Sequence, residues 1–259
     1  MLAWLWDTVV APVAEAVSTD RVWWLPVGLL GLLPLHAAGY PDRAGALDRF
    51  VSSYLPTLRA LDADRPAAVP RRQMVVSLPQ TPGLAELPGT AAEAADLRRA
   101  RPERPLLTGP GATVAAVMAA LPNSTWVHFA GHAEAEVAGS GEAGLHLRDG
   151  LLTVSRIAAL NLRDAELAYL SACSTGHRGV FSDEPLALAT AFHMAGFRHV
   201  IASLWPLDDE IAAVASRAFY RACDSADDAA AALHRAAVEM RAARPDRPDR
   251  WAALIHSGR

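Results

Sequence analysis

Two nearly unbroken apolar runs, AYLSA at 168–172 and HVIASL at 199–204, constrain most what this chain can fold into. A strand with one wet face alternates apolar and polar residues, whereas a strand covered on both faces is apolar throughout. Runs of this kind require a mostly parallel sheet with helices packed on both faces, the α/β class.

The remainder of the chain supplies helices between such strands. Leu5, Val9, Val13 and Val17 recur at helical spacing, and Arg21 to Val27 reads as a short buried strand. Val51 to Leu61 carries helix-spaced Tyr54, Leu58 and Leu61, and a linker rich in Pro and charge runs from Asp62 to Pro70. A β-branched run from Met74 to Leu78 leads into a Pro/Gly loop, Pro79 to Gly89, and a helix starting at Thr90 with Glu93 at capping-box spacing. A helix from Ala112 to Leu121, a strand from Thr125 to Ala130, a Gly-rich excursion from Ala133 to Gly150, a helix near Ser155 to Leu160 and a strand from Glu166 to Ala172 follow. Beyond a loop from Ser174 to Asp183 come a helix to Ala195, a strand from Val200 to Leu204, and helices at Glu210–Ala222, Ala226–Ala242 and Trp251–Ile255. We expect one large domain over residues 1–259, divisible at the linker into an N-terminal pseudo-subdomain, 1–70, and a catalytic part, 71–259.

Composition removes several function classes. With 24 basic and 28 acidic residues there is no excess charge to track a phosphate backbone, so nucleic acid is not an expected partner. Every basic residue outside the histidines is Arg, which excludes a Schiff-base lysine, a Walker-type lysine and a Ser-Lys dyad. Cys173 and Cys223 are far apart, so neither a disulfide framework nor a CxxC pair is indicated. The apolar stretch Val22 to Tyr40 is broken by Pro26, Gly28, Gly31 and Pro34, and no basic region precedes the first apolar run. These features predict a cytoplasmic protein with no membrane association. His36, His146, His177, His193, His199, His234 and His256 lack zinc-ligand spacing, so no metal or other cofactor is expected.

Reactive groups stand at two strand ends. The run WVHFA leads into Gly131 and His132, and AYLSA leads into Cys173. In an open parallel sheet, ligands gather outside the carboxyl ends of the strands. Adjacent strands would bring the imidazole to the thiol and leave a thiolate nucleophile for acyl transfer at a peptide carbonyl. The backbone N–H groups of Cys173 and Ala133 are the expected donors to the tetrahedral oxyanion. His128 is a rival base that strand parity does not exclude, although its place inside the strand favours a core role. Gly139, Gly141 and Gly144 spell GxGxxG, but the acidic lead-in AEAEVA and the strand-like LHLRDG favour a substrate-side loop over a dinucleotide site. Glu134 and Glu136 could orient His132 or simply be solvated, and Cys223 reads as packing.

VHFAGHA and LSACSTG resemble the histidine and cysteine motifs of CHAT domains, relatives of caspases, separases and gingipains. WWLPVGLLGLLPLHAAG, YLPTLRAL, LPGTAAEA, AFHMAGFRHVIASLWPLDD and WAALIHSG resemble further blocks of the family, so the likeness spans almost the whole chain. The resemblance implies a caspase-haemoglobinase-like fold, cysteine endopeptidase activity on protein substrates and a general-base role for His132. It also implies a bacterial signalling or defence setting, with a tetratricopeptide-like or other sensor as regulatory partner. The family often has Gly after the histidine, where this chain has Ala133, whose backbone is less free in φ. The WPLDD segment resembles the separase Trp-x-Val-x-Asp stretch, which aligns Asp209, with Asp208 beside it, to a pocket for a basic P1 side chain. A helix N-cap is an equal reading of those carboxylates. The alternative overall is an inactive caspase-like scaffold that binds a partner; an acyltransferase or esterase using the same thiol has no feature in its favour.

Overall fold

The computed structural model describes residues 1–61, 69–134, 143–174 and 184–259, with the backbone alone at 59–60, 172–174 and 184–186. Residues 62–68 of the Pro-rich linker, Glu136, Gly139, Gly141 and His177 thus lie outside the described residues.

Among the described residues, ten strands form one sheet: β1 (Arg21–Trp24), β2 (Val51–Tyr54), β3 (Gln73–Ser77), β4 (Leu106–Thr108), β5 (Trp126–Glu134), β6 (Gly144–Leu147), β7 (Gly150–Thr153), β8 (Leu167–Ser174), β9 (His199–Ser203) and β10 (Leu254–Gly258). Their order is β1-β2-β10-β9-β8-β5-β3-β4, with the β6–β7 hairpin attached to the far end of β5. The pairs at the centre, β3–β5, β5–β8 and β8–β9, are parallel, whereas β10 runs antiparallel to β9. The helices are α1 (Leu2–Leu5), α2 (Ala11–Ala16), α3 (Ala46–Arg49), α4 (Pro88–Ala100), α5 (Val114–Ala120), α6 (Val154–Ala158), α7 (Glu184–Ala195), α8 (Asp209–Arg221), α9 (Ala229–Ala243) and α10 (Pro248–Trp251).

Alternate residues of the central strands feed two cores. Val127, Phe129, Ala168, Leu170 and Val200 pack with residues of α5, α6 and α7, while Trp126, Leu167, Tyr169 and Ile201 pack with Phe219 of α8 and Leu233 of α9. This is the two-sided cover that the apolar runs require.

Three local expectations are corrected. Val51–Tyr54 is a strand rather than the start of a helix to Leu61, because in-register pairing with β1 captures it and Pro56 follows. Leu254–Gly258 is a strand where a helix was expected over Trp251–Ile255; a five-residue apolar stretch has no decisive period, and the slot between β2 and β9 decides. The helix expected from Thr90 starts at Pro88, and Glu93 forms no capping box there.

Glu93 is instead buried against the sheet. Its Oε2 lies 3.1 Å from His128 Nε2, and both side chains are 0% exposed. Its Oε1 accepts from the Ser171 hydroxyl at 2.9 Å. His128 Nδ1 meets the Tyr220 hydroxyl at 3.2 Å, and its ring stacks on Tyr169 with centroids 5.0 Å apart. One carboxylate on α4 thereby braces β5 and β8 together. Glu93→Ala removes the acceptor of the Ser171 hydroxyl and the carboxylate beside His128, and is expected to cost about 1–3 kcal/mol in urea unfolding.

Candidate active site

β5 and β8 pair in parallel from Trp126↔Leu167 through Ala133↔Ser174, and this register sets His132 directly across from Cys173. The strands' apolar character fixes the pairing: Val127, Phe129, Ala168 and Leu170 share one core, and a one-residue slip would turn them to the wrong face.

The imidazole of His132 is 2% exposed. Its Nε2–H donates to the carbonyl of Ala85 at 2.8 Å, which requires the proton on Nε2 and leaves Nδ1 as the basic nitrogen. Nδ1 is buried and has no hydrogen-bond partner among the described residues. The orienting group missing from the sequence motifs is therefore a main-chain carbonyl. It has no side-chain signature; the only cue was the short Pro/Gly loop between a strand end and a helix.

His128, the rival base, is fully buried, with Nδ1 bonded to the Tyr220 hydroxyl and Nε2 3.1 Å from the Glu93 carboxylate, and belongs to the core. Glu134 pairs with His146 at 2.7 Å and does not orient His132. Ala133 lies inside β5, where extended backbone suits any residue, so the freedom of a glycine is not needed there. Gly144 is required for packing: a Cβ would sit 2.4 Å from the Leu152 carbonyl oxygen across the β6–β7 hairpin. Among the described residues no cluster of three His, Cys, Asp or Glu side chains suits a metal, and no helix is long and apolar enough to cross a membrane.

Asp208 is the N-cap of α8, its carboxylate accepting from the Glu210 N–H at 3.1 Å. The half-buried carboxylate of Asp209 accepts a short hydrogen bond from the N–H of Gly89, at the start of α4. Cys223 contrasts with a reactive thiol: it is buried, it donates to the Ser225 carbonyl at 3.3 Å, and burial pushes its pKa up to about 12.

A family model for the CHAT domain matches residues 1–259, the full length of the chain. The chain belongs to the CHAT-domain family. No protein of curated function matches it in sequence. Among solved structures, separase from Saccharomyces cerevisiae in complex with securin superposes with a TM-score of 0.57 at 14% identity, over 88% of this chain and 14% of that one. A second structure of the same complex gives 0.55 at 14% identity, over 88% and 15%. The Arg-specific cysteine proteinase gingipain R matches at 0.49 and 12% identity, over 72% of this chain and 45% of its own. This CHAT domain thus spans less than half the length of the proteins it resembles, and what it shares with the separase structures is the caspase-haemoglobinase-like fold.

Proposed function

We propose that this CHAT domain is a cysteine endopeptidase in which Cys173 is the nucleophile and His132 the general base and then acid. The observation that supports this most is the pairing of His132 with Cys173 across the ladder, together with a His132 Nδ1 that has no hydrogen-bond partner among the described residues. In-register positions on neighbouring strands lie about 5 Å apart on the same side of the pleat, within reach of a thiol and an imidazole.

Nδ1 takes the thiol proton, and the thiolate attacks the peptide carbonyl carbon. The oxyanion is received by the N–H groups of Cys173 and Ala133. As the C–N bond breaks, imidazolium returns the proton to the leaving amine, and a thioester remains. Water, deprotonated by His132, then attacks the thioester and releases the carboxylate product and the thiol. The Ala85 carbonyl stabilises the imidazolium through a charge-assisted bond from Nε2–H.

Specificity for Arg or Lys at P1 follows from Asp209. Its acceptor capacity exceeds the single bond from Gly89, and at the head of α8 it stands beside the capping Asp208. The setting that fits is bacterial signalling or defence in the cytoplasm, with a protein substrate and a sensor partner such as a tetratricopeptide region. A second reading, the inactive scaffold, draws support from the 2% exposure of His132, since a substrate must displace part of the cover to reach the imidazole. A positional-scanning peptide library decides between them: we expect turnover with at least a tenfold preference for basic P1. Turnover without that preference removes the specificity role of Asp209, and no turnover with any candidate activator supports the scaffold.

A further inference from the structure

The segment between β3 and α4 is tied to the active-site edge at two points. The Ala85 carbonyl accepts from His132 Nε2–H, and four residues later the Gly89 N–H donates to the Asp209 carboxylate. Between these ties the segment closes on itself, with Leu87 N–H donating to the Pro79 carbonyl at 2.8 Å and Leu84 N–H to the Thr81 carbonyl at 3.1 Å. Displacing one tie therefore moves the other. The Gly89 contact is intimate: a Cβ there would lie 2.6 Å from the Asp209 carbonyl oxygen and 2.7 Å from its carboxylate. The bond is not needed to start α8, because Asp208 already caps that helix. Arg217 of α8 also grips Asp96 of α4 at 2.7 Å, so the clamp joins two helices already held together further along.

We propose that Asp209 is a positioning residue for His132, acting through Gly89 and the Ala85 carbonyl. By holding Gly89, Asp209 fixes the loop whose carbonyl selects the Nε2–H tautomer and steadies the imidazolium. This role goes beyond the P1 pocket and does not depend on the charge of a substrate.

The test is the pH dependence of Cys173 alkylation by iodoacetamide, followed by intact mass spectrometry, because this reagent has no P1 side chain. Asp209→Ala removes the acceptor and leaves the Asp208 cap in place. The ascending limb is expected to rise by about one pH unit, and the rate at pH 7 to fall about tenfold. Gly89→Ala, which forces the loop away from the other side, is expected to shift the limb in the same direction. Asp209→Asn keeps an amide oxygen that can accept from Gly89 N–H but carries no charge, so it is expected to restore the wild-type alkylation profile while losing any preference for basic P1. Glu93, His128 and Glu134, which share the strand with His132 or pack on it, are unchanged in all three variants. A wild-type profile in Asp209→Ala overturns the proposal, as does an Asp209→Asn profile that matches Asp209→Ala. Absence of a basic P1 preference in the wild type sinks the pocket reading alone.

Discussion

Cys173→Ala is expected to abolish cleavage of every protein the wild-type chain cuts, and His132→Ala to lower kcat/KM by about 10³-fold or more. Without Sγ there is no group at this strand end to form the thioester. The other thiol is no substitute, being buried behind α8 with its pKa pushed up to about 12. Loss of the imidazole leaves the thiol mostly protonated at neutral pH and the leaving amine without a proton donor. Neither substitution touches the Glu93–His128–Ser171 brace, so both variants are expected to fold. Product mapping by mass spectrometry on candidate substrates, with the two variants beside the wild type, checks this. Cleavage that persists in Cys173→Ala would reassign the nucleophile.

The second large effect is acid destabilisation above the range where carboxylates titrate. His36 and His199 are buried, and desolvation lowers the pKa of each from 6.5 to about 4; His256 is pushed well below 6.5 by burial and then by neighbouring His199. A hydrogen-bonded chain joins two of them, His199 and His256. Arg21 donates to the Ser53 hydroxyl at 2.7 Å, Ser53 bonds His256 Nδ1, and His256 Nε2 lies 3.0 Å from His199 Nδ1. The chain is satisfied with neutral rings.

A base whose folded pKa lies below its unfolded value takes up its proton more readily when unfolded. The stabilising contribution is therefore complete above about pH 6.5, falls as pH drops toward 4, and is constant below that. For His36 and for His199 the loss is about 2 kcal/mol each by pH 5 and about 3 kcal/mol in full. Depressed carboxylates such as Asp48, held down by Arg241, lose their contribution only at lower pH. Urea unfolding at intervals between pH 7.5 and 4.5 should show the midpoint falling steadily through this window. A flat profile there would mean that the imidazoles are already charged in the folded chain.

Legibility from sequence divides along physical lines. The central strands announced themselves because AYLSA and HVIASL are apolar on both faces, and no other arrangement hides them. The placing of His132 opposite Cys173 was legible because each stands near the end of a central strand in a distinctive motif. What stayed hidden was carried by groups without a local signature. The Ala85 carbonyl is main chain, and its role exists only once a loop has folded over β5. Glu93 looked like a capping-box residue because its spacing from Thr90 is right, yet the helix begins two residues earlier and its carboxylate serves β5 and β8. The segments at Val51 and Leu254 became strands because each fills a slot between two neighbouring strands, a tertiary preference that five-residue windows do not contain.

The central claim is that an imidazole with a free Nδ1 activates the thiol opposite it. The most direct measurement is the rate of Cys173 alkylation by iodoacetamide against pH in the wild type and in His132→Ala. The dyad predicts a thiolate already formed below pH 7 in the wild type, with the limb moving up toward about 8.5 when the imidazole is removed. A single limb near the ordinary thiol value, unchanged by His132→Ala, would contradict it.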